Sequence, residues 1–174
     1  RDSPCNVCDE EDERFGTILK LSDNNLSIYA DGVRNSVGFD WHPISGEMYF
    51  TDNGRDWMGD DMPSCELNVV KNDDSFYGYP YKHSMDVLDP DYSKKIPDNA
   101  EEFIDPILEL GAHDAPTDLS FYDGDLFPAK YKNTLFMTLH GSWNRSRKVG
   151  YKVIAVHFDE DGKLLYQKDF ITGW

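Results

Sequence analysis

Four stretches of the chain concentrate side chains that could do chemistry. In "ADGVRNSVGFDWHP", Arg34 and Asn35 stand at the entrance of an alternating apolar run, between Gly32 and Gly38. A guanidinium fork and an amide placed there can donate to a ligand's oxygens where glycine lets backbone come close. The same pair also reads as a surface ion pair beside a turn asparagine. The stretch "TDNGRDWMGDDMPSCELN" gathers Asp52, Asp56, Asp60, Asp61 and Glu66 around Gly54 and Gly59. Calcium is held by many oxygens from flexible loops, carbonyls included, so this loop reads either as a cation site or as a solvated acidic surface. It is not an EF-hand, because the third ligand position counted from Asp52 is Gly54. In "ELGAHDAPTDLSFY", His113 sits in a loop whose backbone is restricted by Ala115-Pro116, as a ligand, a base or a bystander. In "TLHGSWNRSRKVGYKV", His140 arrives at the tip of an apolar run and is followed by Arg145, Arg147, Lys148 and Lys152. Against a net charge of -16 that cluster is a local positive island. It suits either an anionic small molecule or water alone.

The elements that must carry these residues are short. "TILKLS", "LSIYA", "VGFDWHP", "EMYFTD", "TLFMTL", "YKVIAVHF" and "LLYQKDFI" are β-branched and aromatic with near period-two alternation. Between them lie turn chemistries: Ser22-Asp23-Asn24-Asn25, Ser45-Gly46 and Asp161-Gly162. Only residues 100–110 and a turn near 128–132 read as faintly helical. An all-β sandwich, barrel or propeller follows. "SVGFDWHPISGEMYFTDNG" and "PTDLSFYDGDLFPAKYKNTLFMTLHGS" share one order: an aromatic-bearing strand, a turn, a second strand, then a polar tip with glycine. Such a repeat puts the tips on one face and favours the propeller. Blades of about 40–50 residues give this chain about three of them, fewer than a closed ring needs.

The balance of 33 acidic against 17 basic side chains repels nucleic acid and anionic membrane surfaces. No apolar run is long enough for a membrane-spanning helix, and no signal segment opens the chain. The chain begins with Arg1, which reads as a processed product or a piece of something longer. Cys5 and Cys8 stand in CxxC spacing without a second pair to complete a zinc site, so a local disulfide or two thiols is the reading, and Cys65 is unassigned. The triplets at Asn25 and Asn144 match a glycosylation pattern too common to weigh.

Taken in order, "GVRNSVGFDWHPISGEMYFTDNGRDWMGDD", "ELNVVKNDDSFYGYPY", "GAHDAPTDLSFYDGDLFPAKYKNTLF" and "HGSWNRSRKVGYKV" resemble the soluble quinoprotein sugar dehydrogenases, six-bladed β-propellers that carry pyrroloquinoline quinone. The nearest branch is the L-sorbosone dehydrogenase-like or pyranose dehydrogenase group. The resemblance implies an all-β fold of four-stranded antiparallel blades. It makes residues 1–174 part of a single propeller domain, with blades missing at both ends.

The resemblance also implies roles. Arg34 and Asn35 would hold the quinone oxygens, and Arg34 would support the chemistry. His113 and His140 occupy pocket positions where other members carry Thr and Lys, and Arg145 is placed as a carboxylate partner by location. Calcium would take the backbone carbonyls of Gly54 and Arg55, and a second, structural calcium the region of Asp61, Glu66 and Tyr77. The family's general-base His falls outside the chain, since none of its five histidines stands at that position. A sugar substrate, an external electron acceptor and a periplasmic or secreted location complete the expectation. A propeller that binds a protein or a glycan, or a calcium-dependent lactonase-like hydrolase, are the alternatives.

Overall fold

The computed structural model describes residues 5–98 and 102–173. β1 (Thr17–Ser22) and β2 (Asn25–Asp31) form an antiparallel hairpin. Asp23 and Asn24 both take positive φ at its turn, the geometry that matches strand twist and that short polar side chains tolerate. β3 (Phe39–Trp41), β4 (Met48–Asp52) and β5 (Glu66–Val69) then meander antiparallel. β6 (Ser75–Phe76) lies parallel to β2 and completes a three-stranded sheet. β7 (Lys82–His83) and β8 (Val87–Leu88) make a small hairpin, and β9 (Leu108–Glu109) returns to β5. β10 (Pro116–Phe121), β11 (Leu135–Leu139), β12 (Lys152–Phe158) and β13 (Leu164–Ile171) form the last sheet in sequence order.

The sheets β3-β4-β5-β9 and β10-β11-β12-β13 are four-stranded antiparallel blades, as expected. The first sheet departs from that pattern: it has three strands among the described residues, one of them parallel. The helical reading of 100–110 fails over its described part. The N–H groups of Ile104, Ile107 and Leu110 donate to the carbonyls of Phe76, Leu67 and Cys65, which leaves no ladder for a helix. The turn near 128–132 is a short 3-10 turn at Ala129–Tyr131.

β4 is buried along its whole length because it is walled on both faces. Tyr49 packs with Leu67, Leu119, Phe121, Met137 and Val156 in the core between the two blades. Met48 and Phe50 face the other way, into a core with Ala30, Val33, Val70 and Tyr77 under the first sheet. The blades meet so closely that a Cβ on Gly38 would stand 2.5 Å from the Cα of Asp118. That contact, with Asp40 accepting the N–H of Phe121 at 2.8 Å, aligns the ends of β4 and β11 on one rim of the propeller.

Candidate functional site

Polar groups gather at the end of β4. The buried Asp52 carboxylate accepts the backbone N–H of Arg34 at 2.9 Å and of Asn35 at 2.6 Å. The Asn53 amide then bridges the carbonyls of Asn35 and Pro116, which ties this turn to the start of β10. Burial pushes the Asp52 carboxyl up, and those N–H groups and Arg34 pull part of it back. Glu66 faces Asp52 across the β4–β5 pair. Its own burial, and then the charge of Asp52, push its carboxyl up.

The second wall comes from the other blade. The N–H groups of His140 and Gly141 donate to the carbonyls of Ala115 and Asp114, which lays the tip of β11 against the His113 loop. Gly150 permits it: at φ +78, a Cβ there would stand 2.5 Å from the Cα of Gly141. The result is a cavity of about 270 Å³ whose lining includes Arg34, Asn35, Gly54, His113, His140 and Trp143. All four stretches thus meet in one place. A larger hollow of about 390 Å³ is walled by Asp9, Glu10, Glu13 and Asp31 and repels anions.

Arg34 is nearly saturated. Its Nη1 donates to the carbonyls of Asn53 and Gly54 at 3.0 Å, its Nε to the Asn6 carbonyl at 2.8 Å, and its Nη2 to Asn6 Oδ1 at 2.9 Å, with Asp56 at 3.7 Å. Asn6 also accepts the N–H of Asp56 and donates to its carbonyl. Asn6 lies inside the loop closed by a Cys5–Cys8 disulfide, and Cys65 is a buried free thiol. His113, held at φ 66, donates Nε2 to the Gly59 carbonyl at 2.8 Å and turns Nδ1 toward Asp56 at 3.9 Å. A non-glycine residue in that conformation stores strain, which persists where surroundings fix it.

Other expected residues lie elsewhere. The side chain of Arg55 leaves the cavity for the buried Asp89, 2.5 Å away, which also takes His83 Nε2 at 2.8 Å and the N–H groups of Asp91 and Tyr92. Burial pushes Asp89 up, but His83, Arg55 and those N–H groups outweigh it and hold the carboxyl below its usual range. Arg145 is not among the cavity's lining; it pairs with Asp61 at 2.9 Å. The positive island is partly neutralised, since Lys152 pairs with Asp169, while Lys148 lies over the Tyr151 ring. The residues expected to hold a structural calcium each engage partners of their own: Asp61 meets Arg145, Glu66 meets Asn68 and the Ser84 N–H, and the Tyr77 hydroxyl donates to the Val69 carbonyl. Sequence reasoning missed Asn6, which carried no motif, and Asp89, whose role depends on the β7–β8 hairpin.

Residues 87–170 match the model of the TrAA12-like family. The match spans just under half of the chain, and the fold is that of a propeller segment similar to members of that family. A protein of Borreliella burgdorferi is 46% identical over 157 residues, 90% of this chain and 41% of that protein, so the chain spans less than half the length of this relative. The pyrroloquinoline quinone-dependent pyranose dehydrogenase of Coprinopsis cinerea is 42% identical over 53 residues, 30% of this chain and 6% of that enzyme. The holo form of its PQQ domain superposes with a TM-score of 0.72 at 20% identity, over 98% of this chain and 54% of that one. The calcium structure of a Trichoderma reesei family AA12 carbohydrate-active enzyme gives 0.61 at 27% identity, over 84% and 42%. No helix of the described residues is long and apolar enough to cross a membrane.

Proposed function

We propose that this TrAA12-like segment forms part of the cofactor wall of a pyrroloquinoline quinone-dependent dehydrogenase, one that oxidises an aldose or related sugar and passes electrons to an external acceptor. The observation that carries the proposal is the convergence of Arg34, Asn35, His113 and His140 on one cavity. The names of the Coprinopsis cinerea relatives point the same way. In this reading residues 1–174 belong to one propeller domain. The disulfide favours a periplasmic or secreted home.

The donor set fits a flat polar acceptor such as the quinone. Asn35 supplies an amide, Arg34 a guanidinium at the wall, and His113 and His140 ring nitrogens. When bound, the quinone supplies an electrophilic carbon that takes a hydride from the sugar. The chain's own residues supply placement. Asp52 locks the backbone of Arg34 and Asn35, so the charge of Arg34 and the amide of Asn35 stand preorganised where negative charge grows. Calcium fits less well at Gly54, because that carbonyl already accepts from the Arg34 cation.

Titrating the intact protein with pyrroloquinoline quinone, with and without calcium, tests the proposal by cofactor absorbance and by calorimetry. Saturable binding is expected, weakened roughly tenfold or more by Arg34→Gln, as for loss of a charged hydrogen bond. Absence of binding in both conditions overturns it.

A further inference from the structure

Trp143 lines the cavity and Trp57 packs against it, and the fold holds both in place. Trp57 is 70% exposed and Trp143 71% exposed, yet their rings meet edge to face at 5.4 Å with an interplanar angle of 85°. They come from loops far apart in sequence, and those loops are stapled together. The Trp57 N–H donates to Asn144 Oδ1 at 2.9 Å, the Ser146 N–H to Asp60 Oδ1 at 3.0 Å, and Arg145 pairs with Asp61 at 2.9 Å. The Ser146 hydroxyl also donates to Asp60. Trp57 itself is held at φ 69, a conformation bulky residues avoid. Scattered exposed apolar side chains need no explanation. A pinned pair on the lip of a polar cavity, with strain kept in one member, is a built surface.

We propose that Trp57 and Trp143 form a platform for a pyranose ring at the cavity mouth. Two indoles set at right angles make a corner with one flat face and one edge. A pyranose offers a matching shape, with a face of C–H groups and a rim of hydroxyls. The C–H face stacks on the indole, and the rim stays wet or reaches polar groups of the cavity below. The polar staples are already engaged with one another, so they fix the corner and leave the indoles as its contact surface. The Arg145–Asp61 and Ser146–Asp60 contacts are therefore positioning interactions: they set the angle between the rings. The class of ligand rests on the sugar-oxidising reading, while the platform's geometry does not.

Methyl β-D-glucopyranoside is the probe, because its ring is locked and its C1 is blocked, so binding is read without turnover. Indole fluorescence is followed in a background with Trp41→Phe and Trp174→Phe, leaving Trp57 and Trp143 as the emitters. A saturable change is expected with the glucoside and none with sorbitol, which has the hydroxyls without the ring. Trp143→Ala and Trp57→Ala each weaken binding roughly three- to tenfold, the scale of one aromatic contact, and Trp143→Phe keeps most of it. Asp60→Ala weakens binding with both indoles still present, which a merely exposed tryptophan would not show. Circular dichroism of each variant shows whether the blades remain folded. An equal response to sorbitol, no saturable change, or alanine variants that fold and bind unchanged overturn the proposal. Quenching that grows with protein concentration and tracks dimer formation overturns it too and assigns the pair to self-association. Quinone titration of the same samples separates the two readings: glucoside binding without quinone binding leaves the platform standing and removes the dehydrogenase.

Discussion

Replacing Asp89 with asparagine strikes the ion pair that anchors the loop after Gly54. Asp89 is fully buried and Arg55 nearly so, and they meet at 2.5 Å. The substitution removes the charge and keeps the shape, so the guanidinium of Arg55 is left buried against a neutral amide. Removing one partner of a buried pair costs about 3–5 kcal/mol. Asp91 holds a weaker contact to the same guanidinium at 3.4 Å, which sets the expectation at the lower end, about 3 kcal/mol. For a domain of this size that lowers the melting temperature by roughly 6–12 °C. His83 gives the assay its control. Burial lowers its pKa against the pull of Asp89, so the ring is neutral in the folded chain and the introduced amide still has a partner there. Arg55→Met together with Asp89→Asn should recover much of the loss, because the charge goes from both sides at once while the amide oxygen can still accept the N–H groups of Asp91 and Tyr92. Thermal unfolding followed by circular dichroism reads the parent and both variants. A melting temperature for Asp89→Asn within about 2 °C of the parent refutes the reasoning, since it would mean that Arg55 has a second outlet for its charge.

Glu66→Gln probes the acid pair beneath the cavity. The folded Glu66 carboxyl lies above its ordinary value of 4.5 through burial and the nearby Asp52. Its contribution to stability is therefore whole below that value and lost as pH rises from there toward the folded one. Urea unfolding between pH 5 and 9 should show the parent weakening with pH and Glu66→Gln weakening less. Identical slopes would place the titration elsewhere. Asn6→Ala removes three side-chain hydrogen bonds that tie the disulfide loop to Arg34 and Asp56. The Asn6 backbone carbonyl still accepts from Arg34, so the loss is about 1–3 kcal/mol. Limited proteolysis near residue 14 should accelerate, and unchanged cleavage would show that the disulfide alone fixes the segment.

Much of the fold was legible because its hairpins follow local rules. β1 and β13 match the stretches "TILKLS" and "LLYQKDFI" in full, and the Asp161-Gly162 turn joins β12 to β13. β5 was not legible as a strand. Glu66 and Asn68 alternate with Leu67 and Val69 like a half-solvated strand too short to weigh, yet all four are buried. The site divides in the same way. Residues beside a strand tip, such as Arg34, Asn35 and His140, could be placed by counting along an alternating run. Arg145 could not, because its direction is set by Asp61 on another loop. The positive island read from sequence ignored partners that only the fold brings near.

β4 contributes packing to two cores at once, through Tyr49 on one side and Phe50 on the other. Opening either sheet therefore strips one face of the same strand. The amides of Met48–Asp52 should exchange with deuterium only when the whole segment unfolds, with no partial opening of one blade to expose them sooner. The rim that carries Arg34 and Asn35 thus inherits the slowest clock in the molecule, while the tryptophan corner, built on loops, keeps a faster one.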